Sequence, residues 1–296
     1  MKHILSALLG VFFAARLLAQ VDVRVSLTQE QFLPGESIEA AVRIANFTGQ
    51  KLTFGNRTDW IRFNVESTDG RIVNRISEVQ ESGEFQLESS TRGTIRYDIQ
   101  PHFDLSTPGR YRISATVQLA DDQEYTSPAV HFEVFRGTRL WEREIGIETG
   151  DVSTSNRRKY ILQQATHLRN VRLYIRVTDD SEAATFKVIP IGPTVSFGRP
   201  SCAVDRKSRL HVLHQISADT YRFHLVTPEG RVETRRIYAF SDRRPQLRVN
   251  EAGEVSVIGG ERRRASDDIP QEAVPAPTSA KPDDEPPAKP TPPAAK

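Results

Sequence analysis

Residues 111–119 read Tyr-Arg-Ile-Ser-Ala-Thr-Val-Gln-Leu, with an apolar side chain at every odd position and a polar side chain at every even position. Because successive side chains of a β-strand point to opposite faces, this stretch predicts a strand with one face in a core and the other in water. The same period of two recurs before and after it, at residues 21–27, 38–44, 61–65, 95–99 and 130–134.

Turn-forming pairs separate these runs. They are Pro34-Gly35, Asp69-Gly70, Pro108-Gly109 and Asp121-Asp122. Proline presets the backbone angle of a turn, glycine allows positive φ, and aspartate bonds its own backbone, so these pairs predict chain reversals. About seven short strands at this spacing predict an antiparallel β-sandwich over residues 20–135. We expect the whole chain to be all-β.

The turn and core residues of this half also carry a resemblance. The pattern consists of Phe32-Leu33-Pro34-Gly35-Glu36, Val42-x-Ile44-x-Asn46, Phe63-x-Val65, Asp69-Gly70 and Pro108-Gly109-x-Tyr111. It resembles bacterial immunoglobulin-like modules, and is particularly similar to the intracellular proteinase inhibitor-like family. The resemblance implies an Ig-like sandwich with an inhibitor-like or binding role. The chain departs from those modules in having an N-terminal signal and a second domain.

Residues 136–260 contain an internal repeat that predicts a second β-domain. At an offset of 45, Arg199-Pro200 matches Arg244-Pro245, Val204-Asp205 matches Val249-Asn250, and residues 210–213 match residues 255–258. Upstream, residues 160–164 match 211–215 and residues 171–175 match 221–225, at offsets of 51 and 50. A period of this length, built from four short strands, is typical of a propeller blade. Residues 199–242 fit one blade, with a hairpin turn at Thr227-Pro228-Glu229-Gly230.

The length of this segment leaves its architecture open. It holds roughly two and a half blades, whereas closed propellers use about four to eight. The blades could pair with another chain, pack on the sandwich, or form a duplicated meander in a second sandwich. We expect an open, blade-like β-repeat domain.

The two halves of the chain carry net charges of opposite sign. Residues 20–135 carry 11 Lys and Arg against 17 Asp and Glu, a net −6, and residues 136–260 carry 21 against 14, a net +7. The two surfaces can attract each other, or the basic half can face an anionic partner such as a cell-surface polysaccharide. We expect the domains to pack as one rigid body, with the acidic sandwich covering the apolar faces of Leu173 with Ile175 and Phe223 with Leu225. A partner would then meet an exposed blade edge or the tail.

The first 19 residues read as a cleaved secretory signal. Lys2 and His3 precede an apolar run over residues 4–15, and Ala19 is a small residue at the cleavage position. The run is shorter than the roughly 20 residues that span a bilayer. This pattern predicts export from a bacterial cell, a periplasmic or extracellular location, and no transmembrane segment after cleavage. A retained anchor is the alternative, because Arg16 lies close to the apolar run.

The other end of the chain is rich in proline. Nine prolines lie between residues 270 and 293, with Ala, Lys and Asp between them. A segment of this composition cannot bury enough apolar surface to offset its ordering entropy. We therefore expect residues 261–296 to form a disordered tail with polyproline II character. It would serve as a spacer, as a ligand for a partner, or as a tether that threads the cell wall.

No motif predicts catalytic, cofactor-binding or metal-binding residues. His211 and His214 are an odd number of residues apart, so on a strand they would point to opposite faces and could not share a metal. Cys202 is the only cysteine, which excludes an internal disulfide and predicts a small buried side chain. Basic clusters such as Arg157-Arg158-Lys159 lack the interleaved aromatic residues of nucleic-acid sites, and this disfavours nucleic acid as a partner.

Two functions remain open. The first is a non-catalytic, exported protein for binding or assembly in the cell envelope, with a protein or an anionic envelope polymer as its partner. The second is an exported enzyme or enzyme regulator, such as a protease-inhibitor-like protein. A flat sheet face with exposed aromatic side chains would favour the first. Repeated loops that converge on one face with polar residues would favour the second.

Overall fold

The computed structural model describes residues 21–55, 57–79, 83–147, 157–167 and 170–270. The predicted signal (1–19) and most of the predicted tail (271–296) lie outside these residues. The all-β fold class is confirmed, since the described chain consists of strands and one 3-10 turn at Gln100–His102.

The described residues form twenty-one strands. They are β1 (Val21–Leu27), β2 (Gln31–Phe32), β3 (Glu39–Asn46), β4 (Leu52–Phe54), β5 (Ile61–Ser67), β6 (Phe85–Leu87), β7 (Arg92–Asp98), β8 (Gly109–Gln118), β9 (Glu124–Thr126), β10 (Val130–Val134), β11 (Thr138–Gly146), β12 (Arg157–His167), β13 (Asn170–Asp179), β14 (Thr185–Pro193), β15 (Ser201–Val204), β16 (Leu210–Gln215), β17 (Thr220–Val226), β18 (Val232–Ala239), β19 (Gln246–Val249), β20 (Val255–Ile258) and β21 (Glu261–Arg263).

Eight of the first ten strands form a two-sheet β-sandwich, and β4 pairs with β6 in a separate two-stranded sheet. One sheet has the order β1-β3-β7, and the other has the order β2-β10-β8-β5 with β9 beside β8. Every pair is antiparallel except β2 with β10. The alternation in β8 is confirmed, because Tyr111, Ile113, Ala115 and Val117 are buried in the core shared by both sheets. Trp60 is fully buried at one side of this core.

The remaining strands form three stacked sheets. The first sheet has the order β11-β12-β13-β14, the middle sheet has the order β15-β16-β17-β18-β21, and β19 with β20 form an outer hairpin. Leu162 and Ile175 of the first sheet share a core with Val212 of the middle sheet. On the opposite face of the middle sheet, Phe223 shares a second core with Leu247 of the outer hairpin. The middle sheet is thus covered on both faces.

The internal repeat is visible in the strand order. β15–β16 and β19–β20 are equivalent hairpins, and their turns start at Asp205 and Asn250, the residues that the offset of 45 pairs. Ser208 and Gly253 take positive φ, 58° and 72°, at the same place in each turn. The turns lie side by side, since the Arg206 amide donates to the Gly253 carbonyl at 3.2 Å. None of the sheets closes into a ring among the described residues, so a propeller is not confirmed.

One expectation about packing is wrong. Leu173 and Ile175 pack against the middle sheet, and Phe223 and Leu225 pack against the outer hairpin. The sandwich covers neither pair, because the stacked sheets supply one another's apolar cover. The C-terminal module therefore has its own core.

The two modules still meet at a small joint. Leu33, the residue after β2, packs against Ala165, Tyr174 and Val188 of the first sheet. Glu36 forms a backbone bridge to Val188. The Glu36 carboxylate accepts from the Leu33 amide at 2.8 Å, and its burial raises its pKa. The turn from Leu33 to Glu36 therefore contacts the first sheet and is not a solvent-exposed loop.

Order continues past the predicted start of the tail. β21 pairs with β18, and Ile269 forms a backbone bridge to Arg235. Asp268 is buried and accepts hydrogen bonds from Arg262 at 2.8 Å and from the Ala265 amide at 3.1 Å. The boundary predicted at Glu261 is therefore wrong, because charged side chains, rather than apolar ones, fix residues 261–270 to the middle sheet.

Candidate functional site: a two-arginine cleft

A cleft of about 500 Å³ lies between the middle sheet and the outer hairpin. It opens at the end of the strands opposite to the Asp205 and Asn250 turns. Its lining consists of Phe197, Gly198, Arg199, Ser201, Leu213, Gln215, Tyr221, Arg244, Pro245, Gln246 and Leu247. We call it the two-arginine cleft, after the residues that dominate its charge.

The two arginines occupy equivalent positions of the internal repeat. Arg199 lies two residues before β15, and Arg244 lies two residues before β19. Because the two hairpins stack, the repeat places both arginines in the lining of one cleft. Within the described chain neither group has an ion-pair or hydrogen-bond partner. Two unneutralised cations in one cleft make it a site of positive potential.

A double-glycine turn holds the Arg244 side of the cleft. Gly259 and Gly260 follow β20 with φ of 71° and 68°, a conformation that favours glycine. A Cβ on Gly260 would lie 2.5 Å from Pro245 Cγ and 2.7 Å from the Ala239 carbonyl oxygen. The Gly260 amide donates to the Arg243 carbonyl at 2.8 Å. Glycine is thus required for the chain to pass this close to the segment that carries Arg244.

The rest of the lining includes buried side chains at the bottom of the cleft and an exposed ring at its rim. The Gln215 amide nitrogen donates to the Ser217 and Ala218 carbonyls, at 2.8 and 2.9 Å, which fixes this buried side chain. Tyr221 is also buried and belongs to the core beneath the cleft. Phe197 is 77% exposed at the rim. An aromatic ring left in water beside two cations is a surface that a ligand could cover.

The chemistry of the lining suits the binding of an anion. Its lining residues include two arginines, a serine, a tyrosine and two glutamines, and no carboxylate, histidine or cysteine. Arginine presents several N–H donors in a planar fork that matches carboxylate and phosphate oxygens. The arrangement therefore suits the recognition of an anionic group.

The histidines considered in the sequence lie on opposite faces of β16, as the odd spacing predicts. His211 contacts Phe223 on the side of the outer hairpin, and His214 stacks on His224 on the side of the first sheet, with ring centroids 5.7 Å apart in both pairs. Among the residues that the structure describes, no three His, Cys, Asp or Glu side chains cluster closely enough to hold a metal.

Cys202 is half-buried against the core between the first and middle sheets. Burial raises the pKa of its thiol to about 12. A thiol with this pKa stays protonated near neutral pH, so Cys202 behaves as the small apolar side chain that the sequence predicts.

A second polar cluster lies at the turn end of the middle sheet. His211 Nε2 is 3.1 Å from Asp205 Oδ2, beside a cavity of about 170 Å³. Asp205 also accepts from the Arg209 side chain at 2.7 Å and from the Lys207 and Arg209 amides. Burial lowers the pKa of His211, and the charge of Asp205 partly opposes this. Asp205 thus organises its own turn, and His211 is its neutral partner.

Between the first and middle sheets, a buried histidine pair lies next to two arginines. Burial, followed by the charge of Arg222, lowers the pKa of His214 to about 3. Burial and the neighbouring charges of His214, Arg222 and Arg235 hold the pKa of His224 well below its usual value. The Asp267 carboxylate lies 3.3 Å from Arg222 and 3.7 Å from Arg235. The ordered end of the chain therefore neutralises the arginines, while the histidines stay uncharged.

Sequence reasoning missed most of the cleft. It identified Arg199 and Arg244 as equivalent through the repeat but assigned them no role. Phe197 and Gln215 carry no local signal, because their position follows from how two hairpins stack. The Gly259-Gly260 pair is a turn signal that was available in the sequence.

Comparison with known proteins does not assign the chain to a family. No protein-family model matches it, and no curated protein matches it. A solved structure similar to it is the crystal structure of Spo0M, a sporulation control protein from Bacillus subtilis. The match has 11% sequence identity and a TM-score of 0.31, and covers 57% of this chain and 83% of that chain. A TM-score this low supports no argument about fold or function.

The likeness to immunoglobulin-like and inhibitor-like modules therefore stays a resemblance. Within the described ranges, no helix has the length and apolar character needed to cross a membrane.

Proposed function

We propose that this protein is an exported, non-catalytic binding protein of the bacterial cell envelope, and that it holds an acidic polysaccharide in the two-arginine cleft. The observation that carries this proposal is the convergence of Arg199 and Arg244, both without an acidic partner in the described chain, beside the exposed ring of Phe197. Carboxylates on a sugar would bind the guanidinium groups, and the flat apolar face of the sugar ring would cover Phe197.

The wider charge distribution supports this choice of ligand. The C-terminal half is net positive, and the signal-like N-terminus suits a location where envelope polymers occur. The cleft is open at its rim, which suits a chain-like ligand whose ends extend beyond the site. Repeated loops do converge here with polar residues, a pattern that also fits an enzyme. The lining, however, holds no carboxylate, histidine or cysteine, and these side chains commonly transfer protons near neutral pH.

Binding of alginate, an acidic polysaccharide, to the mature chain tests the proposal. We expect binding that weakens as salt rises, because it rests on charge, and no binding of uncharged dextran. The double variant Arg199→Gln/Arg244→Gln should lose at least tenfold in affinity, since two charge-assisted contacts disappear, each worth roughly 1.5–3 kcal/mol.

The control variant is Arg110→Gln/Arg248→Gln. It removes the same charge from exposed positions outside the cleft, so it should keep most of the affinity. Equal losses in both double variants would show that alginate responds only to net charge, and the cleft would then have no special role. Absence of any binding by the parent chain would contradict the proposal directly.

A regulatory or enzymatic role is the second candidate. The observation in its favour is the His211–Asp205 pair beside its cavity. His211→Gln should abolish any hydrolytic activity on envelope substrates if this pair acts as a base, and leave alginate binding unchanged. The inhibitor-like resemblance is tested with a panel of serine and cysteine proteases. Inhibition by the isolated sandwich, residues 20–135, would favour it.

A further inference from the structure

The C-terminal tail contains an acidic segment with the chemistry that the cleft accepts. Residues 282–287 read Pro-Asp-Asp-Glu-Pro-Pro, so three adjacent carboxylates are flanked by prolines. The cleft offers two arginines, the rings of Phe197 and Tyr221, and the ring of Pro245. Proline-rich segments bind aromatic-lined grooves with little ordering cost, because polyproline II is already extended.

The tail is long enough to reach the cleft of its own chain. Ile269 is fixed beside Arg235 of β18. From there the cleft lies across β17, β16 and β15, about 15 Å at the usual strand spacing, and about 10 Å along the strands. Asp283 follows Pro270 by 13 residues, and any chain of 13 residues can reach about 40 Å when extended. This length covers the direct path and a detour around the edge of the sheet.

We propose that residues 282–287 dock in the two-arginine cleft of the same molecule and compete with its anionic ligand. The inference rests on the proposed function, because both occupants use Arg199 and Arg244. Asp283, Asp284 and Glu285 pair with the arginines, and the flanking prolines cover Phe197. The tail is tethered, so its effective concentration is in the millimolar range, and a weak contact is enough to occupy the cleft. The protein then binds only ligands that present several acidic groups at once.

The test compares full-length mature proteins that differ only in tail charge. Asp283→Asn/Asp284→Asn/Glu285→Gln should bind alginate roughly three- to tenfold more tightly than the parent, because the competing segment is removed. Glu272→Gln lies in the same tail but outside the acidic segment, so it should leave the affinity unchanged. Equal affinities of the triple variant and the parent would overturn the inference.

A synthetic peptide of residues 280–289 separates this inference from the proposed function. Added in trans to the triple variant, it should bind and displace alginate, and it should not bind when Arg199→Gln/Arg244→Gln is also present. If the arginines are needed for alginate but neither the peptide nor the tail charge has an effect, the tail inference fails and the proposed function stands. If the peptide binds the cleft and alginate never does, the proposed ligand is wrong and the tail contact stands.

Discussion

The two modules bury their apolar surface in different ways. The sandwich has a single core between two sheets, so its long strands alternate between buried and exposed residues, as β8 does. The middle sheet of the C-terminal module has a core on each face, and all six residues of β16 are buried, although two are histidines and one is a glutamine. A period of two in the sequence therefore identifies a strand with one buried face. A strand that is buried on both faces, such as β16, lacks this period and was located through the internal sequence repeat. The comparison also implies that each module is stabilised by its own core.

The largest expected effect is a loss of stability in the sandwich alone. Trp60→Ala should destabilise the sandwich by about 3–5 kcal/mol, because a fully buried indole packs against the rings of Phe54 and Phe85. The chain has two tryptophans, and the other, Trp141, packs at the core of the C-terminal module. Urea unfolding followed by Trp141 fluorescence should keep its midpoint, while circular dichroism shows an earlier transition. A Trp141 midpoint that falls equally would show that the modules unfold together.

Acid should destabilise the C-terminal module. His214 and His224 have lowered pKa values and fold uncharged, whereas unfolded histidine titrates near 6.5. The unfolded state therefore binds more protons below pH 6.5, so stability is fully present above that pH and falls as the pH drops towards 3. Between pH 7.5 and 5.5 the two histidines together should cost about 2–3 kcal/mol. Trp141 fluorescence should report this loss, because Trp141 packs at the core of the C-terminal module. The sandwich, whose His131 is exposed, should not show it by circular dichroism. His131→Gln is the matched control and should leave the loss intact.

Gly260→Ala tests the turn that positions Arg244. The new Cβ would meet backbone and Pro245 at φ of 68°, and we expect a cost of about 2 kcal/mol to the C-terminal module. Gly70→Ala is the control in the sandwich. Its φ is 84°, but its Cβ meets nothing within 4 Å, so only the backbone strain of about 1 kcal/mol remains. Equal costs in thermal unfolding would mean that the close approach at Gly260 is relieved without effect.

The smallest effect concerns the joint. Arg172 Nη1 lies 3.5 Å from Gln29 Oε1, and the Arg172 charge acts on Glu36, while the main contact is the apolar packing of Leu33. Arg172→Gln should therefore change stability by less than about 1 kcal/mol. Raising the salt concentration should loosen the modules very little, as followed by small-angle scattering. A large salt-induced expansion would restore the prediction that opposite net charges hold the modules together.

The sequence was most informative where one physical rule acts alone. Alternation located the long strands of the sandwich, and the offset of 45 paired Asp205 with Asn250, which the structure places in equivalent turns. It failed where the outcome depends on the packing of whole sheets. The prediction that the sandwich packs against Leu173 and Phe223 was wrong, because strand patterns do not reveal which sheet lies opposite. The order at Asp268 was missed because its ion pair with Arg262 depends on β21 lying beside β18, and the sequence does not show that pairing.

The cleft has a consequence for how such a protein could have evolved. Because Arg199 and Arg244 belong to successive copies of one hairpin, a single copy would fold a strand pair with one isolated arginine. Duplication of the segment would create the two-arginine cleft in the same event that extends the fold. Each further copy would add another cleft between neighbours, so the number of ligand contacts could grow by tandem duplication without any new residue being selected.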